Sequence, residues 1–246
     1  MPAQEKDAAT LREEWASRAE GWVRFARTPG RDAWFAPVLL PTLLELLPSP
    51  GRRALELGCG EGRVARALAE HGYRVVGVDT SEGAVAAAEG VEAHVADAAN
   101  LPFEDGAFDL VYAFMSLLNV DELDRAVAEA ARVLEPGGAF CFVTSHPFGM
   151  AGRFAEPDDP DAAYVVTESY FRERRRVFST DDRDVQFTFV DQYRPLETYF
   201  RALERAGLVV EALREPQPSE EVFAARPRAA RWLRVPCFVA VRARKP

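Results

Sequence analysis

The 246-residue chain carries 30 basic against 39 acidic side chains, a formal net charge of −9, which opposes general attraction to nucleic acid but leaves room for a local basic patch. With 48 % apolar residues it can bury the core of one ordinary domain plus an elaboration. No run of 18 apolar residues is present, so no membrane span is expected.

The first residues are charged and show no apolar leader. Over residues 4–26, Leu11, Trp15, Ala19, Trp22 and Phe25 recur at three- or four-residue steps, the period of an amphipathic helix. Thr28-Pro29-Gly30 breaks it, and a second helical stretch follows over 34–47 with Asp32 as a candidate N-cap. Trp15, Trp22 and Trp34 admit two readings: packing against a core, or, for Trp22 or Trp34, a lid over a substrate. Residues 1–50 thus read as a helical segment on the sheet edge, part of it over a ligand mouth.

A short apolar run, Ala54–Leu57, ends in glycines at alternate positions, Gly58, Gly60 and Gly62. A helical pattern with Val64, Ala65, Leu68 and Ala69 on one face follows and stops at Gly72. Strand, glycine turn and helix form the local grammar of a nucleotide site. Glycines let a ligand approach the backbone, and a helix N-terminus offers unpaired N–H groups. The dinucleotide fingerprint needs its third glycine at 63, where Arg63 stands, and no Walker lysine follows. A turn that only joins strand to helix is the alternative.

The next strand, 74–78, ends in Asp79, 21 residues beyond Gly58. That spacing suits an acceptor for ribose hydroxyls; Asp79-Thr80-Ser81 could equally cap the next helix. A third strand over 90–95 ends at Ala96-Asp97-Ala98, and Phe108–Phe114 is the fourth. A helix over 121–134 has Asp121 as its cap and Leu123, Val127, Ala130 and Leu134 on one face; strand five covers 139–144. Strands alternating with helices imply a parallel sheet wound on both faces, with ligands at the carboxyl ends. Gly58, Asp79, Asp97, Phe114 and Ser145 should therefore converge.

Residues 146–194 exceed a simple crossover. They contain an acidic, proline-rich loop (156–161) and strand candidates at 164–167, 176–179 and 185–191, read as an antiparallel insertion over the substrate side. Arg172, Arg174, Arg175 and Arg176 are either a solvated face or a clamp for an anionic substrate. Arg194-Pro195 opens another helix bearing Leu196, Tyr199, Leu203 and Ala206. A strand over 208–213, a short helix over 226–234 and a last strand over 236–243 complete a core of residues 51–145 and 195–246. Cys59, Cys141 and Cys237 lie far apart, an odd count without metal spacing, which reads as reduced thiols in a cytoplasmic protein with no metal. Two lysines against 28 arginines, with abundant Ala and Pro, suggest a GC-rich bacterial genome.

Residues 53–145 resemble the methyltransferase-11 type of class I S-adenosylmethionine-dependent methyltransferase, a family of small bacterial enzymes among others. E-L-G-C-G-E-G-R, V-V-G-V-D-T-S, V-A-D-A-A-N-L-P-F, F-D-L-V-Y-A-F and L-E-P-G-G stand in the family's order and spacing. The resemblance implies an α/β, doubly wound, seven-stranded, mainly parallel Rossmann-like sheet with the last strand antiparallel between strands five and six. It implies that Gly58, Cys59 and Gly60 face the methionine part of S-adenosylmethionine. Asp79, with Thr80 beside it, would hold the ribose, Asp97 would accept from the adenine amino group next to the Ala98 backbone, and Phe114 would lie by the methionine part. Glu56 would support the loop. Family members often show His-Arg-Pro before the late helix; here it is Tyr193-Arg194-Pro195.

Methyl transfer is an in-line displacement that needs a base only when the nucleophile holds a proton of high pKa. His146, after strand five, is the candidate base, with a structural role as its alternative. Tyr112, Ser116, Asn119, Glu168, Asp191 and Tyr193 are further, unranked groups near the mouth, and Trp22, Trp34 and Tyr193 are the candidate substrate contacts. The expected activity is methyl transfer to a small-molecule acceptor, yielding S-adenosylhomocysteine. A tRNA or protein methyltransferase, or a non-catalytic cofactor-binding protein, is the alternative. The oligomeric state is open, a homodimer included.

Overall fold

The computed structural model describes residues 9–156, 159, 161–179 and 186–246. The starts of the expected first helix (4–8) and of the expected strand at 185, and part of the 156–161 loop, lie outside the described residues.

Helix α1 spans Leu11–Arg27. Thr10 caps it by accepting the Glu13 N–H, while the Glu13 carboxylate accepts the Thr10 N–H at 2.8 Å. The second helical stretch is not continuous. A π-turn at Phe35–Leu39 runs into α2, Leu40–Leu46, with Pro41 in its first turn. Proline has no N–H to give, so it is tolerated at a helix start, and the preceding turn widens instead. Asp32 caps nothing here; its carboxylate pairs with Arg63 at 2.7 Å.

The core alternates β1 (Ala54–Leu57), α3 (Arg63–Glu70), β2 (Val75–Asp79), α4 (Glu82–Ala86), β3 (Glu92–Val95), β4 (Phe108–Phe114), α5 (Leu123–Val133) and β5 (Leu134–Ser145). After β5 come a short helix α6 (Pro147–Met150), a hairpin of β6 (Gly152–Phe154) with β7 (Tyr164–Val166), and a hairpin of β8 (Arg174–Ser179) with β9 (Thr188–Tyr193). Helix α7 (Leu196–Arg205), β10 (Val209–Arg214), α8 (Glu220–Ala225), a 3-10 turn at Pro227–Leu233 and β11 (Phe238–Arg244) end the chain. The seven-stranded sheet has the order β10-β11-β5-β4-β1-β2-β3. Only β11 runs against its neighbours, β5 and β10.

Alternation along β4 divides the core. Val111 and Ala113 face α5 and α7 in one apolar cluster, and Leu110, Tyr112 and Phe114 face α2 and α3 in the other. The register sets Leu57 beside Val78 and Ala113, so the carboxyl ends of β1, β2 and β4 finish level. The β8–β9 hairpin stands over those ends, with β9 packed on α1 and on a 3-10 turn at Leu117–Asn119. Among the described residues no helix is long and apolar enough to cross a membrane.

Candidate active site

All four residues of β1 are buried, so the chain leaves the sheet only at Gly58. Gly58, Gly60 and Gly62 have φ of +70°, +55° and +83°. A Cβ on Gly58 would sit 2.5 Å from Ser116 Cβ, and one on Gly60 2.9 Å from Trp22 Nε1. The turn therefore needs glycine for its backbone and for its neighbours. Its N–H groups are not free, as the motif alone suggests. Those of Gly58 and Cys59 donate to the Val78 carbonyl, and that of Gly60 donates to Asp79 Oδ2 at 2.9 Å. What the turn offers a ligand is close approach to the backbone.

Asp79 closes the turn from β2. Its other oxygen accepts the Ser81 N–H at 2.9 Å. A carboxylate has roughly four acceptor positions, so these N–H groups leave acceptor capacity for a hydroxyl donor. Burial pushes its pKa up, opposed by the backbone N–H groups of Ser81, Gly60 and Thr80. Ser81 meanwhile caps α4 by accepting the Ala84 N–H, so the capping task falls to the serine rather than to Asp79. Beneath the turn, Glu56 is buried and pushed up to about 8 by desolvation, although the Tyr112 hydroxyl donates to it.

A cavity of about 870 Å³ opens over the strand ends, in the upper part of the roughly 300–1,000 Å³ range of small-molecule sites. Gly58, Cys59, Gly60, Asp79, Thr80, Asp97, Ala98 and Phe114 all line it, as do Trp22 and Trp34. Asp97 Oδ1 accepts the Ala99 N–H at 2.8 Å, and its Oδ2 lies 3.6 Å from Arg12 of α1. Met115, next to Phe114, is the one non-glycine with positive φ (53°) among the described residues. Such a conformation costs about 1–2 kcal/mol and clusters at functional sites.

Several contacts that build the cavity were invisible to local patterns. Asp121 does not cap α5. Its carboxylate accepts the N–H groups of Leu11 and Arg12 at 3.1 and 3.3 Å and meets Arg175 at 3.4 Å, so it holds the start of α1. Trp15 Nε1 donates to the Val190 carbonyl at 2.9 Å, joining α1 to β9. The Arg63 guanidinium lies over Phe35 at 4.3 Å and Trp22 at 5.1 Å while paired to Asp32. Buried Glu61 takes Arg27 and Arg66, which fixes the end of α1 to the glycine turn.

Two expected contacts are turned away. The Nδ1 of His146 accepts the Phe148 N–H at 3.1 Å, which puts its proton on Nε2, 3.2 Å from Glu215. Both nitrogens are committed, and His146 is absent from the cavity lining. Its pKa is lowered by burial, against the pull of Glu215. Tyr193 is also outside the lining; its hydroxyl donates to the Tyr170 carbonyl at 2.8 Å and its ring carries Arg174 at 3.9 Å. Alternation puts Tyr193 on the strand face of Phe189 and Asp191, but it stands at the end of β9, opposite Arg174, outside the lining. Of the unranked groups, Ser116, Asn119 and Asp191 line the cavity, and Tyr112 and Glu168 do not.

The family model for a methyltransferase domain matches residues 55–142. An S-adenosylmethionine-dependent methyltransferase structure from Mesorhizobium loti is 32 % identical, covers 83 % of this chain and 96 % of its own, and superposes with a TM-score of 0.69. A demethylmenaquinone methyltransferase from Clavibacter sepedonicus is 37 % identical over 46 % of this chain and 49 % of its own length. An O-methyltransferase from Aspergillus sclerotiorum is 35 % identical over 37 % and 39 %. The match spans about half or less of these curated relatives. The near-complete overlap with the Mesorhizobium loti structure, together with the family model, settles membership: the chain belongs to the S-adenosylmethionine-dependent methyltransferases.

Proposed function

We propose that the chain methylates a small-molecule acceptor by in-line displacement. The observation that carries this reading is one continuous cavity, which runs from the glycine turn to an aromatic wall supplied by α1 and the β8–β9 hairpin. Relatives named for demethylmenaquinone and O-methyl transfer support an acceptor of that size.

S-adenosylmethionine supplies an electrophilic methyl group on a sulfonium. In this reading Gly58, Cys59 and Gly60 admit its methionine part to the backbone, with Phe114 beside it. Asp79 accepts the ribose hydroxyls, with Thr80 adjacent. Asp97 accepts from the adenine amino group beside the Ala98 backbone. Residues 1–50 form the lid, 51–145 and 195–246 the core, and 146–194 the substrate cover. Trp22 and Trp34 serve lid and packing at once. Burying the acceptor against aromatic side chains excludes water and aligns the reacting atoms, which is most of what this displacement asks of a protein.

Calorimetric titration with S-adenosylhomocysteine tests the reading, with NAD as control. Charge-assisted hydrogen bonds contribute about 1.5–3 kcal/mol each, so Asp79→Ala should weaken binding at least about tenfold. Absence of binding to the wild type, or binding of NAD instead, would overturn it.

A further inference from the structure

The β8–β9 hairpin presents two rungs to the cavity. Phe178 stands opposite Phe189, and Arg176 opposite Asp191. Side chains two apart on a strand share a face, and all four line the cavity. The phenylalanine rings stack at 5.0 Å with 9° between planes. Trp22 and Phe25 of α1 abut Phe189 at 6.2 and 5.6 Å. The result is a flat aromatic wall that ends in one acid and one cation.

Asp191 is 3 % exposed. Among the described residues its carboxylate takes part in no hydrogen bond and no ion pair, and Arg176 across the strand stays beyond ion-pair distance. A buried carboxylate without a donor is costly. Folds tolerate such a group where a ligand completes it. Arg176 is half-buried, lies 5.3 Å from the Phe178 ring and, among the described residues, has no carboxylate in contact either. The hairpin therefore holds an acceptor of protons and a stabiliser of negative charge side by side, neither one satisfied by a partner among the described residues.

We propose, resting on the methyltransferase reading above, that Asp191 is the general base and that the acceptor is a planar, largely apolar molecule bearing an ionisable hydroxyl group. The plane lies along Phe178 and Phe189, and the hydroxyl reaches the Arg176–Asp191 rung. The O–H bond breaks and its proton passes to the Asp191 carboxylate, while Arg176 stabilises the charge growing on oxygen. As that oxygen bonds to the methyl carbon, the electron pair of the breaking carbon–sulfur bond stays on sulfur. Asp191 then returns its proton to water.

The electrostatics suit the task. Burial pushes the Asp191 carboxyl up to about 7, against the charge of Arg176. Arg176 on β8 and Tyr199 on α7 are the titratable groups that face it. A base with a pKa near the working pH is the effective one for hydroxyl deprotonation.

The test compares 2-naphthol with its methyl ether, 2-methoxynaphthalene, by titration of the full chain at pH 8.5 and pH 5.5, with and without S-adenosylhomocysteine. The wild type should prefer the naphthol at least tenfold at pH 8.5 and lose the preference at pH 5.5, where the protonated carboxyl can donate to either oxygen. Asp191→Ala should show no preference at either pH. Asp191→Asn, which keeps the volume and can likewise donate to either oxygen, should show no preference at either pH. Equal binding of the two compounds by the wild type at pH 8.5, or a pH-dependent preference surviving in Asp191→Asn, overturns the proposal. Binding of S-adenosylhomocysteine is read separately. Its failure removes the cofactor reading, whereas its success with no naphthol preference removes only the role of Asp191.

Discussion

The Tyr112 hydroxyl donates to the Glu56 carboxylate across 3.0 Å, and both side chains are closed off from solvent beneath the glycine turn. Desolvation holds the Glu56 proton to about pH 8. The unfolded chain releases that proton near the ordinary glutamate value, so between these limits the native state binds more protons. Stability is then fully present below about pH 4.3 and is lost as pH rises through 8, by up to about 1.4 kcal/mol per unit. Glu56→Gln keeps an acceptor for Tyr112 without a charge. Its unfolding free energy should fall less than that of the wild type between pH 5 and pH 8 in urea titrations. Parallel curves would show that Glu56 is ionised in the fold.

The glycines of the turn should not be equal to a glycine elsewhere. Gly58, Gly60 and Gly90 all have positive φ, and only Gly90 has open space where a Cβ would go. Gly90→Ala should lose about 1–2 kcal/mol of stability from the backbone alone and keep its affinity for S-adenosylhomocysteine. Gly58→Ala and Gly60→Ala add collisions with Ser116 and Trp22, so each should lose at least tenfold in affinity. Calorimetry on the three variants decides it; equal affinities would mean that the turn shifts freely.

Asp121 ties α1 to β8, accepting from the first turn of α1 and meeting Arg175 of β8. Asp121→Ala removes an acceptor comparable to a helix cap, about 0.5–2 kcal/mol. Amide exchange in the first turns of α1 should accelerate, while α5, which Asp121 does not cap, keeps its protection. Unchanged exchange in α1 would show that Trp15 and the aromatic cluster hold the helix unaided.

The same residue marks where sequence reading stops. Gly58, Gly60, Asp79, Asp97 and Phe114 lie within short motifs whose spacing sets their positions at strand ends, so their convergence was legible. Asp121 stands 110 residues from its partner Leu11, and before an apolar helix it has every local mark of a cap. His146 looked like a base because it follows a strand end; Glu215, far along the chain, engages it instead. Tyr193 and Asp191 share a strand face, and only tertiary contacts separate them: Asp191 lines the cavity, while the Tyr193 hydroxyl donates to the Tyr170 carbonyl. Local geometry is written in neighbours, while side-chain direction at a domain's rim depends on long-range register.

His146 should therefore prove structural. Its Nδ1 caps α6 and its Nε2 proton points at Glu215. Burial lowers its pKa below the ordinary histidine value, so as pH falls the unfolded chain takes up its proton first. The stability tied to neutral His146 is present above about pH 6.5 and is lost as pH drops through the lower, folded value. Asn also serves as a cap, and His146→Asn removes the titration. Its deficit relative to the wild type should be larger at pH 8 than at pH 5 in denaturant titrations, with S-adenosylhomocysteine affinity unchanged within about threefold. General-base catalysis contributes roughly 10²–10⁴-fold. A loss of that size in methyl transfer, with stability intact, would return His146 to the chemistry and remove Asp191 from it.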